Sequence, residues 1–297
     1  MTAALGIDAG ASSTRWCLLG EDGLELKRGV APPFTGHLFE AAERETNLAC
    51  LRAVLSEAAE HADILGVVGG ITGLHRNTEA QSVFVAEAAR VLNLNPQYCY
   101  FDNDLHVLYS GVFAPGEGVV LYAGTGAVAY HETLAGDIET AGGYGYLVDD
   151  AGAGFWIGQR ALRWLMREHD AHGESESVLA RALCEVVDSS WSGIMRYVYA
   201  HGRSGVAALV PAVASAAVNG DEVALAILEA AALELADLLK RLQTRLGTSL
   251  PVAFAGGVAN SEVVVERVGL ELAPLPFKVV TIQADRVAAE LALTYLG

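Results

Sequence analysis

Basic side chains are scarce in this 297-residue chain: 19 lysines and arginines stand against 36 aspartates and glutamates, a formal charge of −17. Surfaces that grip nucleic acid or anionic lipid need clustered Lys and Arg, so no nucleic-acid or membrane partner is expected. Cysteine is scarce as well. Cys17, Cys50, Cys99 and Cys184 lie far apart with no C-x-x-C pair, and they read as buried apolar residues of a reducing compartment. The first residues lack a basic n-region followed by an apolar stretch. The longest nearly apolar run, VAALVPAVASAAV (206–218), contains a proline and is too short to span a bilayer. The expected setting is soluble and cytoplasmic. No G-x-x-x-x-G-K-[ST] and no H-E-x-x-H occurs, which excludes a Walker-type nucleotide binder and a helical zinc site. The one approach to a dinucleotide fingerprint, GAGFWIG (152–158), follows acids rather than a strand, and its last glycine falls one residue late.

What the chain has in quantity is apolar residues, 52% against 19% charged, enough for a sizeable core over a length comfortable for two domains. LGID and TRWCLLG read as strands, with EDG as a turn and LELKRGVA as a returning strand. Residues 38–61 carry helical spacing, DILGVVGGITG is an apolar strand running into glycines, SVFVAEAARVLNL is helical, and QYCYFDND (97–104) is a strand ending in acids. The opening pattern then returns: GEGVVLYAGTGAVAYHETL (116–134) is again strand, small-residue turn and strand. Either the chain contains an internal duplication or two hairpins share turn chemistry. Beyond residue 150 the chain is mostly helical, until PVAFAGGVANSEVVVERV, the strand PFKVVTIQ and the terminal helix DRVAAELALTYL. Strands alternating with helices give an α/β fold. Trp156 and Trp164 read as core, and Arg160, Arg163 and Arg167 as the solvated face of one helix.

Four glycine-rich turns, at 8–14, 124–126, 142–154 and 255–258, follow strands or begin helices, and a fifth strand end carries Asp102 and Asp104. In α/β proteins ligands bind beyond the carboxyl ends of strands. Gly124, Thr125 and Gly126 offer backbone donors and a hydroxyl for a phosphate. Asp8 and Asp150 could hold Mg²⁺, the metal joining carboxylate and phosphate, and Asp104 could accept a proton from a substrate hydroxyl. This is the inventory of a phosphoryl-transfer enzyme.

AGGYGYLVDDAGAGFWIGQRALR (141–163) gives these parts a more specific context. It resembles the Gly-Gly-Trp-Gly … Gly-Asp-Glu-Gly-Ser … Trp-Ile-Gly stretch of the N-acetylglucosamine kinase and BadF/BadG-type ATPase family, within the sugar kinase/Hsp70/actin superfamily. With the first turn, the Gly-Thr-Gly turn and FAGGVANS (254–261), the resemblance covers nearly the whole chain. It implies two ribonuclease H-like lobes, 1–112 joined by the helix 284–297, and 113–283, with a nucleotide cleft between them that closes to exclude water. It also implies ATP and Mg²⁺ as cofactors and a homodimer.

Residue by residue, the resemblance gives Asp8, Gly10, Ser12, Ser13 and Thr14 to the first phosphate loop, with Asp8 near the metal. Gly124, Thr125 and Gly126 fall in the second phosphate loop, and Gly256, Gly257 and Asn260 in the adenosine loop. Asp104 becomes the catalytic base, with Asp102 the weaker candidate. The sugar would meet Thr35, Gly36, Thr72, Gly73, Asp104, Gly143, Tyr144 and Asp150. The departures are several. Ala9 and Ala11 replace glycines, and Ser13 stands where Lys or Arg is common, with Arg15 as a substitute. Gly36 replaces a sugar-contacting Asn and Tyr144 a Trp, while Asp149 and Ala151 replace the Gly and Glu flanking Asp150.

The function implied is an ATP-dependent kinase acting on the 6-hydroxyl of an amino sugar, N-acetylglucosamine first, with glucosamine and N-acetylmuramic acid as rivals. From another class come a BadF-type ATPase driving a partner protein and a non-catalytic nucleotide-binding regulator. The scattered cysteines argue against the shared iron–sulfur cluster of partner-activating relatives.

Overall fold

Period-two alternation in the first strand already sorts the chain's opening residues onto two faces. A computed structural model describes residues 1–10, 13–173 and 175–296, which fall into two units: Met1–Phe113 with Ile282–Gly297, and Ala114–Thr281. The first unit runs β1 (Thr2–Ala9), β2 (Thr14–Gly20), β3 (Glu25–Ala31), α1 (Ala41–Ala59), β4 (Asp63–Ile71), α2 (Glu79–Leu92), β5 (Cys99–Asp102) and α3 (Asp104–Ser110). Its sheet has the order β3-β2-β1-β4-β5. Ala3, Leu5, Ile7 and Ala9 of β1 join Leu51, Val54 and Leu55 of α1 and Phe84 and Ala88 of α2 in one core. Ala4 joins a second core with Val68, Val107 of α3, and Ala288 and Ala292. By the same alternation Asp8 shares the face of Ala4 and Gly6.

The second unit continues with β6 (Val119–Ala123), β7 (Ala127–Glu132), β8 (Ile138–Gly142), α4 (Gly154–His172), α5 (Val178–Cys184), α6 (Trp191–Ala207), α7 (Val210–Val218), α8 (Glu222–Leu246), β9 (Val252–Ala255), α9 (Glu262–Leu272) and β10 (Phe277–Val279). One core of its own gathers Val119, Leu121 and Ala123 of β6 with the apolar faces of α4 to α9. The last helix, α10 (Ala284–Leu296), belongs to the first unit.

The second sheet has the order β10-β9-β6-β7-β8. In the first sheet β1–β2 and β2–β3 are antiparallel while β1–β4 and β4–β5 are parallel. In the second, β6–β7 and β7–β8 are antiparallel while β6–β9 and β9–β10 are parallel. Strand order and direction repeat element for element. That agreement extends far beyond two turns and decides the open alternative for an internal duplication.

Some expectations need correction. The acids of QYCYFDND do not end a strand together, because β5 stops at Asp102. Asn103 leaves the ladder to cap α3, its Oδ1 accepting the Leu105 N–H at 3.0 Å, so Asp104 opens a helix instead. The stretch PFKVVTIQ pairs only over Phe277–Val279. Cys17 and Cys99 are buried, but Cys50 is half-buried and Cys184 exposed, since Leu179, Ala180 and Leu183 take the inner face of α5. Trp156 and Trp164 do pack against the second unit's core, and Arg160 lies over the Trp156 ring at 3.8 Å. Among the described residues no helix is long and apolar enough to cross a membrane.

Candidate functional site

In the first unit the carboxyl ends of β1, β4 and β5 lie side by side, with Asp8 opposite Gly70 and Gly70 opposite Asp102. Asp102 and Asp104 then part in role. Asp102 is fully buried and spent: it takes the Arg76 Nε–H, the Tyr100 hydroxyl at 2.9 Å and the Asn103 N–H at 2.7 Å. Asp104 accepts from Thr72 Oγ1 at 2.5 Å and from the Leu105 N–H at 3.0 Å. Burial pushes its carboxyl above the ordinary range, against the pull of those hydrogen bonds. Asp8 is pushed up to about 6, first by burial and then by the negative charges of Asp104 and Asp285. Among the described residues no hydrogen bond or ion pair reaches the Asp8 carboxylate.

The rest of the first turn is more committed than the sequence implies. The Gly10 N–H closes onto the Ser13 carbonyl at 3.0 Å, which leaves Ser13 at the edge of the turn. Thr14 is fully buried with its hydroxyl donated to the Pro32 carbonyl at 2.9 Å, so it is a strand residue rather than a phosphate contact. Ser12 lies outside the described residues.

Around the expected sugar side, the Thr35 N–H donates to Asn47 Oδ1 at 3.2 Å, and the Gly36 N–H to the Thr72 carbonyl at 2.9 Å. A Cβ at residue 36 would stand 2.5 Å from the Leu74 nitrogen. Glycine is therefore what lets this loop close on residues 72–74, and an asparagine could not stand there unaltered. Gly73 is left-handed (φ +78) and abuts the His37 ring. Beside Gly36 and Gly73 opens a cavity of about 280 Å³, walled by Leu38, Ala80 and Val83 with Arg44 and His75.

In the second unit three turns converge. The Gly124 N–H closes onto the Gly126 carbonyl at 2.9 Å, while Gly154 and Phe155, at the start of α4, donate to the carbonyls of Gly124 (2.8 Å) and Thr125 (3.3 Å). Gly256, with φ +100, lies so close that a Cβ there would be 2.4 Å from the Ala123 carbonyl. The following residues, Gly257–Asn260, form a single tight turn with Gly257 and Asn260 exposed. Asp150 is held at φ +62, its carboxylate buried; it receives the Ala127 N–H at 3.4 Å and pairs with Arg203 at 3.0 Å. Burial pushes its carboxyl up, and the Ala127 N–H and Arg203 pull the other way. Gly143 bonds the Ala127 carbonyl at 2.9 Å, and Tyr144 is 75% exposed.

A family model described as the BadF/BadG/BcrA/BcrD ATPase family matches residues 5–288. The chain belongs to that family. Among curated relatives, an N-acetylmuramic acid/N-acetylglucosamine kinase of Clostridium acetobutylicum is 29% identical over 164 residues, 54% of this chain and 54% of the relative. An N-acetyl-D-glucosamine kinase of Dictyostelium discoideum is 26% identical over 269 residues, 85% of this chain and 84% of the relative. The chain thus spans about half of the first relative's length. A solved structure from Chromobacterium violaceum, named as a proposed N-acetylglucosamine kinase, superposes with a TM-score of 0.71 at 23% identity, covering 99% of this chain and 98% of that one. At that identity the likeness concerns the fold alone.

For this BadF-family chain, sequence reasoning missed two arginines. Arg76 joins Asp102 to His106 Nδ1 (2.6 Å) and thereby ties the loop after β4 to the β5–α3 corner that carries Asp104. Arg203 sits against the Gly124–Gly126 turn. The only local signal was the helix-breaking HGRSG around Arg203. The metal assignment at Asp150 also changes weight, since Arg203 occupies its Oδ2. Among the described residues no group of three or more His, Cys, Asp or Glu side chains gathers to hold a metal. Mg²⁺ does not need one, because it commonly uses one or two carboxylates together with substrate phosphates and water.

Proposed function

We propose that this protein is an ATP-dependent kinase that phosphorylates the 6-hydroxyl of N-acetylglucosamine. The observation that carries the proposal is Asp104: a buried carboxylate, raised in pKa, oriented by Thr72 and Leu105, while its neighbour Asp102 is consumed by Arg76 and Tyr100. A base so held can take a hydroxyl proton as the oxygen attacks phosphorus, the bond from the γ-phosphorus to the β–γ bridging oxygen breaks, and ADP departs. The names of the curated relatives support the amino-sugar class.

In the first unit Asp8 would hold Mg²⁺, directly or through water; its oxygen donors suit that hard cation. Bound there, Mg²⁺ supplies charge neutralisation at the transferring phosphoryl group. Gly10 and Ser13 would lie near the phosphates, and Thr72, Gly73 and Thr35 would border the sugar. In the second unit Gly124–Gly126 would hold phosphate oxygens, and Gly256, Gly257 and Asn260 the adenosine, beside which the space around Gly257 is open. Gly143, Tyr144 and Asp150 would complete the sugar contacts. The apolar walls of the cavity beside Gly36 and Gly73, whose charged lining residues Arg44 and Glu79 pair with each other at 3.8 Å, support an uncharged acylated over a free amino group.

The test is a coupled ADP-release assay with ATP and Mg²⁺ across N-acetylglucosamine, glucosamine, N-acetylmuramic acid, N-acetylmannosamine and glucose. Release that depends on N-acetylglucosamine is the expected result, with the product located at C6 by NMR. Sugar-independent release would transfer the protein to the partner-driven ATPases, and no release despite ATP binding to the regulators.

A further inference from the structure

We propose that Arg203 is a phosphoryl-binding residue, its guanidinium taking an oxygen of the nucleotide's phosphate chain at the Gly124–Gly126 turn. The inference rests on the nucleotide reading above and adds to it a cation that the sequence patterns did not reveal. Its starting point is a deficit. The first turn, Ala9 to Thr14, contains no lysine or arginine and has only Arg15 beside it, and the chain carries −17 overall, yet a nucleotide brings several negative charges that a site must meet.

Arg203 is placed with unusual care. α6 breaks its helical course at Gly202, where φ is +55 and ψ −147. Nothing lies within 4 Å of where a Cβ would stand at 202, so the glycine serves the backbone turn and not the packing. That turn directs Arg203 onto the Gly-Thr-Gly segment. A Cβ on Gly126 would stand 2.5 Å from Arg203 Nη2 and 2.7 Å from Asp150 Oδ2. The glycine at 126 is thus the space the guanidinium occupies, a reason for that residue beyond any turn chemistry.

Two groups hold the guanidinium. Nη2 pairs with Asp150 at 3.0 Å, the charge faces the Tyr146 ring at 5.2 Å, and that ring is itself braced edge-on by Phe155 at 4.9 Å. The side chain remains 37% exposed, so a ligand can reach it. Its Nε is buried and has no hydrogen-bond partner. Five donors in a fixed fork, of which Asp150 takes one, suit a phosphate oxygen better than a lone structural pair. A pair serving stability alone would do as well with two apolar residues.

The experiment is titration calorimetry of the full chain in EDTA with three probes: adenosine, ADP and inorganic tripolyphosphate. Arg203→Met should weaken ADP and tripolyphosphate about 10–100-fold, the worth of a charge-assisted hydrogen bond, and leave adenosine within about twofold. Arg203→Lys should fall between. Asp150→Asn should tighten tripolyphosphate, because it removes a competing anion while the guanidinium remains. The proposal is overturned if Arg203→Met binds ADP as the unmodified protein does, or loses adenosine and ADP equally. Should Arg203→Met fail to fold, the other two variants decide: Asp150→Asn weakening tripolyphosphate as much as Arg203→Lys makes the pair structural and ends the proposal. An unmodified protein that binds none of the three probes removes the nucleotide reading itself, an outcome distinct from the failure of Arg203 alone.

Discussion

Two carboxylates two positions apart, Asp102 and Asp104, show how environment assigns chemistry at the scale of the residue. Asp102 lies under three donors and is fully buried, out of a substrate's reach, whereas Asp104 keeps acceptor capacity and an elevated pKa. Asp104→Asn should lower kcat by roughly 10²–10⁴-fold with ATP affinity kept, as steady-state kinetics and calorimetry would read; near-normal turnover would strip Asp104 of the role. Asp8 makes a second prediction, on stability. Its carboxyl is raised to about 6 in the folded chain by burial and by Asp104 and Asp285, against about 3.9 unfolded. The folded state therefore holds that proton more tightly, an advantage complete below about pH 4 and lost as pH rises through about 6. At pH 7 without metal the charge is a burden, so Asp8→Asn should stabilise by about 1–3 kcal/mol while impairing activity. Melts in EDTA from pH 4 to 8 would show the gain shrinking toward acid. A variant that melts lower at pH 7 would mean that Asp8 has a favourable partner.

Among the elements of the first unit, α10 packs onto β1 with no room between their backbones at Gly6. On β1 the face opposite the α1 core carries Ala4, Gly6 and Asp8, and α10 lies directly on Gly6: a Cβ there would stand 2.0 Å from the Asp285 carbonyl and 2.2 Å from the Ala289 nitrogen. Both obstacles are backbone, so no rotamer change relieves the clash. Gly6→Ala should cost about 3 kcal/mol or more, at or beyond the upper end of ordinary overpacking. Gly257→Ala, with nothing within 4 Å of its Cβ, should leave stability within about 1 kcal/mol. Urea titrations of the two variants would check the contrast. Most elements were legible because burial marks them: a continuous apolar run in β1, which is covered on both faces, and helical spacing in α1 and α2. The β5–α3 corner was not, because Asn103 serves as a cap, which an apolar pattern cannot register.

Over the whole molecule, what could be read from sequence was what is contiguous. The glycine turns at 8–14, 124–126 and 255–258 each announce themselves within a few residues. Arg203 meets Asp150 across 53 positions and Arg76 meets Asp102 across 26, and no local pattern marks such pairs. The duplication was half-visible for a related reason: the first hairpin of each unit repeats in sequence, but the repeat of β4–β5 in β9–β10 exists only in strand order. The repeat is not exact: five helices, α4 to α8, stand between β8 and β9 where α1 alone stands between β3 and β4, and α10 crosses back along the chain to finish the first unit. It supplies Ala288, Ala289 and Ala292 to that unit's cores and Asp285 as the buried partner of Arg28, at 3.1 Å. Among the described residues the second unit's core draws on none beyond Phe277. Deleting residues 282–297 should therefore strip protection from β1, β2 and β4 while β6, β9 and α8 retain theirs, a pattern that hydrogen exchange resolves segment by segment. Equal loss in both sets would show that the two cores fold as one cooperative body. Protection kept in both would show that β1 holds its place without the helix that covers Gly6.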